Sequence, residues 1–503
     1  MVTKYRNTAI TLFCLSFSLL LIQFLIRVDT YYLSDPLVKM IQVISLWNQN
    51  WSTEGILYPS TDLDPLFLMS PLNESFVFLH EGKLIGPFPI GFTFLYSIFG
   101  LIPFRFLPYL NVVFLILFIR LLYKNGIQPS VLILTILGTV AFPLLIDFSE
   151  NGLFLIFAGY GYTFLYQAFL NDKKENWILG NIFLGLSLWF RLEGILLFLT
   201  IQLTIWLIHF YIKKQSLSQT LHPLRYIIFF TLLFFFLIWN TINYSHPLGT
   251  RYLTNFGKIE KQIHEQIQIF LAIVFTYPRS NAWALGFFIH TPVFLYTLIQ
   301  LRKKQIFQNP TLLFHFSIVI IFTLLVGITA PNDGVTLTGR YLSVLILPLS
   351  FLLNDQIAEL KKTKIRFYLF FVWSYLCTLL ILVVFYLSSQ ELKKLRKELA
   401  QFESPLIVTT NELLSGSYGL DLLNKKVISV RKEYFVKYLF YNIQNAKQNE
   451  FMVLTVAKVT KYNKEEKDVF AEILSEAKYS GYDCSKEERS ARVIGRRCIK
   501  IEK

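Results

Sequence analysis

The sequence predicts an α-helical polytopic membrane protein of about eleven transmembrane helices with a small α/β domain at its carboxyl end. Three observations predict it. Uncharged runs of about twenty residues recur through the first three quarters of the chain, long enough to cross the hydrocarbon core of a bilayer. Lys and Arg fall in short clusters between those runs. From Gln390 onward the composition turns polar and the hydrophobic period changes.

Hydrophobic residues make up 54% of the 503-residue chain and aromatic residues 17%, which places it in the membrane class. The net charge of +15 lies in loop-sized clusters, so it argues for cytoplasmic loops and against a nucleic-acid surface. Lys4 and Arg6 precede an uncharged run over 7–26, the outline of a signal peptide. The run is longer than an ordinary signal core and lacks a small-x-small cleavage site, so it reads as a retained first helix with its amino end in the cytoplasm.

Further spans are expected at 106–123, 127–146, 151–171, 176–190, 194–212, 226–245, 280–301, 309–330, 341–354 and 367–389. Two segments are ambiguous: 84–104, uncharged but broken by prolines and glycines, and the short 267–278. With eleven spans and neither ambiguous segment crossing, the clusters at Lys124, Lys173/Lys174, Lys213/Lys214, Arg302/Lys303/Lys304 and Lys361/Lys362/Lys364/Arg366 share the side of Lys4 and Arg6. Counting 84–104 as a span would move all of them outside, so it is expected to lie at or dip into the outer interface. This places loops 27–105, 147–150, 191–193, 246–279 and 331–340 outside, together with the tail. The expected domains are a membrane domain over 1–389, with a long first outer loop at 27–105, and a soluble extracytoplasmic domain over 390–503.

In the tail, β-rich runs at 405–410, 426–430, 451–459 and 492–501 alternate with helical patterns at 411–424, 433–447 and 465–480. Cys484 and Cys498 either bridge the last helix to the last strand or remain free thiols, whereas Cys14 and Cys377 lie inside apolar spans as small core residues. No CxxC, metal-spaced Cys/His set, inverted repeat or low-complexity tract occurs.

Ionisable groups at membrane depth cost several kcal/mol unless they are paired or hydrated, so those at span ends carry the functional reading. After the first helix, the run from Arg27 to Lys39 places Asp29 and Asp35 close to the outer bilayer surface, with Lys39 as a further cation for an anionic substrate. Asp35 reads either as the cap of a helix beginning at Pro36 or as a carboxylate that takes a proton from a hydroxyl, and one group can do both. Glu150 stands at the outer junction of two spans, where Ser149 and Asn151 already suffice as caps; it reads as a base, an acceptor-orienting group or a metal ligand, against the plain reading of a solvated loop acid. Arg191 and Glu193 make a turn with no polar spacer. They either pair with each other or leave Arg191 to grip a phosphate. Arg251 and Arg340 also fall at outer ends, each followed by Tyr, and read as interfacial anchors or as phosphate ligands. His209, His290 and His315 sit in apolar runs as core residues.

In this order the residues resemble the GT-C superfamily of membrane glycosyltransferases, which includes protein mannosyltransferases, aminoarabinose transferases and oligosaccharyltransferases. The likeness runs over roughly 1–390: a first helix, a long outer loop opening with Asp35, a Pro-rich segment starting at Gly86, Glu150 after the third span, the Gly185-to-Glu193 turn, and late outer loops with arginine. It implies a polyprenyl-phosphate sugar donor at the outer leaflet of a bacterial inner membrane, inverting transfer to an acceptor hydroxyl on a glycan, lipid or protein, and Asp35 as base with Asp29 in reserve. Glu150 would orient the acceptor or hold a divalent cation, the one cofactor considered, and Arg191, Arg251 and Arg340 would bind phosphate. The chain departs from the pattern in having Asp35 followed by Pro rather than an Asp-Glu pair, Glu150 in place of Asp, and no WWDYG signature. The alternatives are a transporter or flippase of lipid-linked sugars and a non-catalytic subunit of a cell-envelope assembly system.

Overall fold

A computed structural model gives the protein's architecture for residues 2–27, 34–72, 77–212, 214, 223–255, 262–279, 282–283, 285–331, 339–360, 364–457 and 464–501. Among these, eight helices are long and apolar enough to cross a membrane, among them Ala9–Ile26, Phe104–Lys124, Glu150–Asn171, Pro310–Thr329 and Arg340–Leu360. The protein is a multi-pass membrane protein. The Arg340–Leu360 span is 83% buried and forms the middle of the helical body, whereas only 22% of the Ile227–Tyr244 span is buried. The latter exposes Phe230, Phe234, Phe235 and Ile242, a surface that needs lipid as its solvent.

Local sequence sets the helix ends. Asn309 accepts hydrogen bonds from the Thr311 and Leu312 amides, with Pro310 at the first helical position, the start pattern expected when a side chain must serve orphan amides. Glu150–Asn171 stops at Asp172, whose left-handed backbone closes the last turn.

Three expected spans do not run as single helices of spanning length. Segment 127–146 divides into Pro129–Leu137 and Ala141–Ile146 around Gly138, and 176–190 overlaps the 14-residue helix Lys174–Ser187, which starts two residues earlier and stops three short. Segment 280–301 holds Phe287–His290 and Pro292–Gln300, interrupted before Pro292, whose ring cannot continue the hydrogen-bond ladder. Within 84–104 the only helix among the described residues is Ile90–Ser97, eight residues and so about 12 Å long, far short of a crossing.

The described chain divides into two compact units. One comprises Met1–Leu25, Phe88–Phe92 and Phe106–Val384; the other comprises Ile26–Pro87, Thr93–Arg105 and Phe385–Lys503. The polar turn of the composition at Gln390 does not end a helix: Lys364–Leu399 runs on for 36 residues.

The strands are β1 (Phe78–His80) and β2 (Lys83–Ile85), a hairpin; β3 (Pro278–Arg279) and β4 (Ala282–Trp283), a minimal ladder; and the tail strands β5 (Leu406–Thr409), β6 (Lys426–Ser429), β7 (Glu450–Val456), β8 (Tyr482–Cys484), β9 (Glu488–Arg489) and β10 (Val493–Lys500). The tail sheet has the order β6-β5-β7-β10-β8, with β9 on β10. β5 runs parallel to β6 and β7, and β10 antiparallel to β7, β8 and β9. Helices Glu412–Ser417 and Tyr434–Asn445 make the crossovers that parallel pairing requires. Cys484 and Cys498 face each other across β8 and β10 and form a disulfide, so the bridge joins two strands rather than the last helix and a strand. The last helix has already ended at Tyr479, and Gly481 (φ 82°) turns the chain into β8.

Part of the long first loop packs into this α/β domain. Leu63 and Met69 belong to its apolar core, the Met69 carbonyl accepts from the Ser429 amide, and Arg431 donates to the Ser70 and Leu72 carbonyls. Asp64 organises the segment: its carboxylate accepts from the Leu68 and Met69 amides, both at 2.9 Å, and from the Tyr58 hydroxyl at 3.2 Å. Burial raises the Asp64 pKa, although the two amides and the hydroxyl pull it down. A folded state that holds the proton more tightly than the unfolded chain gains stability below the unfolded pKa and loses it as pH rises through the folded one. The thermal midpoint of wild type relative to Asp64→Asn is therefore expected to fall as pH is raised from about 4, near the ordinary value of a free aspartate, toward neutrality. A pH-independent difference between the two would contradict this reading.

Candidate functional site

A chain of charges is built at the Glu150 end of the helical unit. Ser149 is extended and Glu150 opens the helix Glu150–Asn171, so its carboxylate stands at a helix start, where the backbone dipole favours negative charge. Forty-one residues on, the turn between Lys174–Ser187 and Glu193–Tyr211 delivers Arg191 to it. Arg191 is 3% exposed and Glu150 2%.

The Arg191 guanidinium donates Nη1 to Glu150 Oε1 at 3.2 Å and to Asn151 Oδ1 at 2.6 Å, and Nη2 to Glu193 Oε1 at 2.5 Å, and lies 5.1 Å from the centre of the Tyr341 ring. The pairing of Arg191 with Glu193, one of the two readings the sequence leaves open, is thus present. Glu150 is the third member, hidden from sequence by its distance along the chain. Burial alone would disfavour the Arg191 charge, but Glu193 and then Glu150 more than offset it, and the group is held firmly cationic.

Arg251 extends the chain outward, with Nη1 3.8 Å from Glu150 Oε1 and 14% exposure. It stands on the short helix Gly249–Asn255. Arg340 opens the segment Arg340–Leu345, 5.8 Å from the Tyr341 ring centre. Glycine sets both arginines. Gly339 (φ 54°) precedes Arg340, and a Cβ there would fall 2.6 Å from the Phe287 amide nitrogen; Gly249 (φ 69°) precedes Arg251 by two residues, and a Cβ there would meet Asn240 Oδ1 at 2.5 Å.

A cavity of about 250 Å³ opens beside this chain. Leu192, Ile195, Leu196, Leu248 and Val326 give it apolar walls, and Glu193, Arg251, Tyr252 and Tyr341 give it one polar edge. Such a space suits a molecule that is mostly hydrocarbon with an anionic end. Arg251 lines it whereas Arg191 does not, so of the two Arg251 is the one presented to a ligand.

The other candidates are placed as follows. Asp35 lies in the first turn of Ser34–Asn48 in the second unit, inside the helix rather than ahead of it, 4.0 Å through Oδ2 from the buried Lys39 Nζ. Asp29 lies outside the described residues. His290 and His315 are buried; His290 meets Thr378 at 3.0 Å and His315 meets the Tyr162 hydroxyl, as core histidines do. Among the described residues no three His, Cys, Asp or Glu side chains converge as a metal site. Glu150, held by two arginines, is a poor ligand for a further cation, and no step is assigned to a metal.

No family model and no curated protein matches the sequence. Solved structures do match. Over 96% of this chain and 97% of the other, the fold superposes on ArnT from Cupriavidus metallidurans bound to undecaprenyl phosphate, with a TM-score of 0.56 and 11% identity. Two weaker matches are the Archaeoglobus fulgidus oligosaccharyltransferase tethered to an acceptor peptide (TM-score 0.49, 12% identity, 94% and 73% covered) and the oligosaccharyltransferase AglB of the same organism with an inhibitory peptide and a dolichol-phosphate (TM-score 0.47, 11% identity, 93% and 72% covered). The ArnT match shows that the chain shares the fold of ArnT over nearly its whole length, a polytopic helical body followed by a small carboxy-terminal sheet domain.

Removing one partner of a buried ion pair leaves an uncompensated charge and costs about 3–5 kcal/mol. Arg191→Met is accordingly expected to lower the thermal midpoint of the detergent-solubilised protein sharply, and Arg251→Met only slightly. Equal, small shifts for both would show that the buried triad does not hold this end of the helices.

Proposed function

We propose that the protein is a membrane glycosyltransferase that moves a sugar from a polyprenyl-phosphate donor to an acceptor hydroxyl at the outer face of a bacterial inner membrane. The observation that carries it is the apolar cavity edged by Arg251: a prenyl chain needs hydrocarbon walls, and its phosphate needs a charge-assisted donor at their rim. The GT-C-type fold it shares with ArnT, an aminoarabinose transferase whose structure holds undecaprenyl phosphate, supports the same class of donor.

Roles follow from burial. Arg251, the arginine that lines the cavity, binds the departing phosphate and lowers the barrier by stabilising the charge left on it. Arg191 is a positioning residue, fixed by Glu150 and Glu193, and Glu150 in turn steers Arg251. We assign Glu150 to the support of the arginines instead of to the acceptor. The base is assigned to Asp35, which lies in the first turn of Ser34–Asn48 with Lys39 as its ion-pair partner. The amino end is assigned to the cytoplasm and the tail to the outside; the Cys484–Cys498 disulfide, which suits an oxidising compartment, supports that orientation for the tail.

The test is incubation of purified protein with a panel of radiolabelled polyprenyl-phosphate sugars. Asp35→Asn is expected to abolish transfer at unchanged protein level, and Arg251→Ala to raise the donor KM about tenfold or more, as loss of a charge-assisted hydrogen bond does. Full activity of Asp35→Asn removes Asp35 from the mechanism; donor-independent behaviour of Arg251→Ala removes the cavity from it.

A further inference from the structure

The turn that carries Arg251 into the cavity is held by a histidine that the sequence pattern does not mark out. Helix Ile227–Tyr244 ends at Ser245 (φ 56°), whose amide donates to the Thr241 carbonyl at 3.0 Å. The chain then reverses over 246–249, closed by the Gly249 amide donating to the His246 carbonyl at 2.9 Å. Inside that reversal His246 Nδ1 accepts the Leu248 amide at 3.1 Å, the side-chain-to-backbone bond two residues on that Asn and Asp make in turns. The imidazole also lies flat on Tyr252, centroids 4.1 Å apart and planes 6° apart.

These contacts converge on one consequence. Leu248, Arg251 and Tyr252 all line the cavity, and all follow from the geometry of this single turn. A free Gly-containing turn would let the short helix Gly249–Asn255 swing, and the guanidinium would lose its aim by more than a hydrogen bond tolerates. The influence of His246 on the site runs through Leu248 and Tyr252.

We propose that His246 is a positioning residue for ligand phosphate: by accepting the Leu248 amide and stacking on Tyr252 it sets the direction of Arg251 at the cavity edge. The proposal rests on the reading of that cavity as a lipid-phosphate site and adds a residue the reading does not need.

The test compares wild type with His246→Ala, His246→Asn and His246→Phe in the full-length purified protein, with two readouts. The first is amide hydrogen exchange over 246–252 without ligand. The second is the Kd for undecaprenyl phosphate. His246→Ala is expected to speed exchange at Leu248 and the following amides and to weaken binding about fivefold, the size of one net hydrogen bond. His246→Asn, which keeps an acceptor for the Leu248 amide, is expected to recover most of the protection and affinity. His246→Phe, which keeps only the stack, is expected to recover less than Asn. Unchanged exchange in His246→Ala overturns the proposal, as does faster exchange with unchanged affinity. A wild type that binds no undecaprenyl phosphate would instead defeat the lipid-phosphate reading, with the exchange data still deciding whether His246 holds the turn.

Discussion

The cost of burying charge in apolar surroundings governs this protein. Arg191 is enclosed at the junction of two helices that have no other polar residue between them, and it is tolerable there because Glu193, Glu150 and Asn151 saturate its fork. That requirement fixes where Glu150–Asn171 starts, how Lys174–Ser187 turns into Glu193–Tyr211, and where Tyr341 lies. The triad is thereby a rigid frame, and Arg251, touching it through Glu150, is the member left at the cavity.

This division of labour has a chemical logic. A ligand phosphate met by a fully satisfied arginine gains little, since that guanidinium already spends its donors on carboxylates. An arginine at the frame's edge, steered by the same carboxylate and partly exposed at the cavity, meets a ligand with its orientation set in advance. The apolar walls next to it lower the local dielectric, which strengthens the interaction with an anion that enters. Two left-handed glycines, Gly249 and Gly339, and the His246 turn allow the backbone to reach this arrangement without strain on a larger residue.

Much of the fold was legible in the sequence because the signals are periodic. The tail strands β5, β6, β7 and β10 coincide with β-rich runs, whereas β8 and β9, three and two residues long, carry no period to detect. Spans rich in Leu and Phe stand out, but the breaks at Gly138 and ahead of Pro292 divide segments that hydropathy alone joins. The site was legible in composition and not in partnership. Arg191 and Glu193, two residues apart, suggest a pair; the closure onto Glu150 depends on helix packing across 41 residues. Asp64 and His246 carried no signal, because each works through backbone amides whose positions only the folded chain supplies.

The central claim is that the cavity beside Arg251 takes the phosphate end of a polyprenyl lipid. The most direct measurement is photocrosslinking of the purified protein with a polyprenyl phosphate bearing a diazirine on its first isoprene, followed by peptide mapping. Labels on 192–196, 248–252 and 326–331, competed away by unlabelled undecaprenyl phosphate, are the expected result. Labelling confined to other segments, or labelling that unlabelled lipid does not displace, would contradict it.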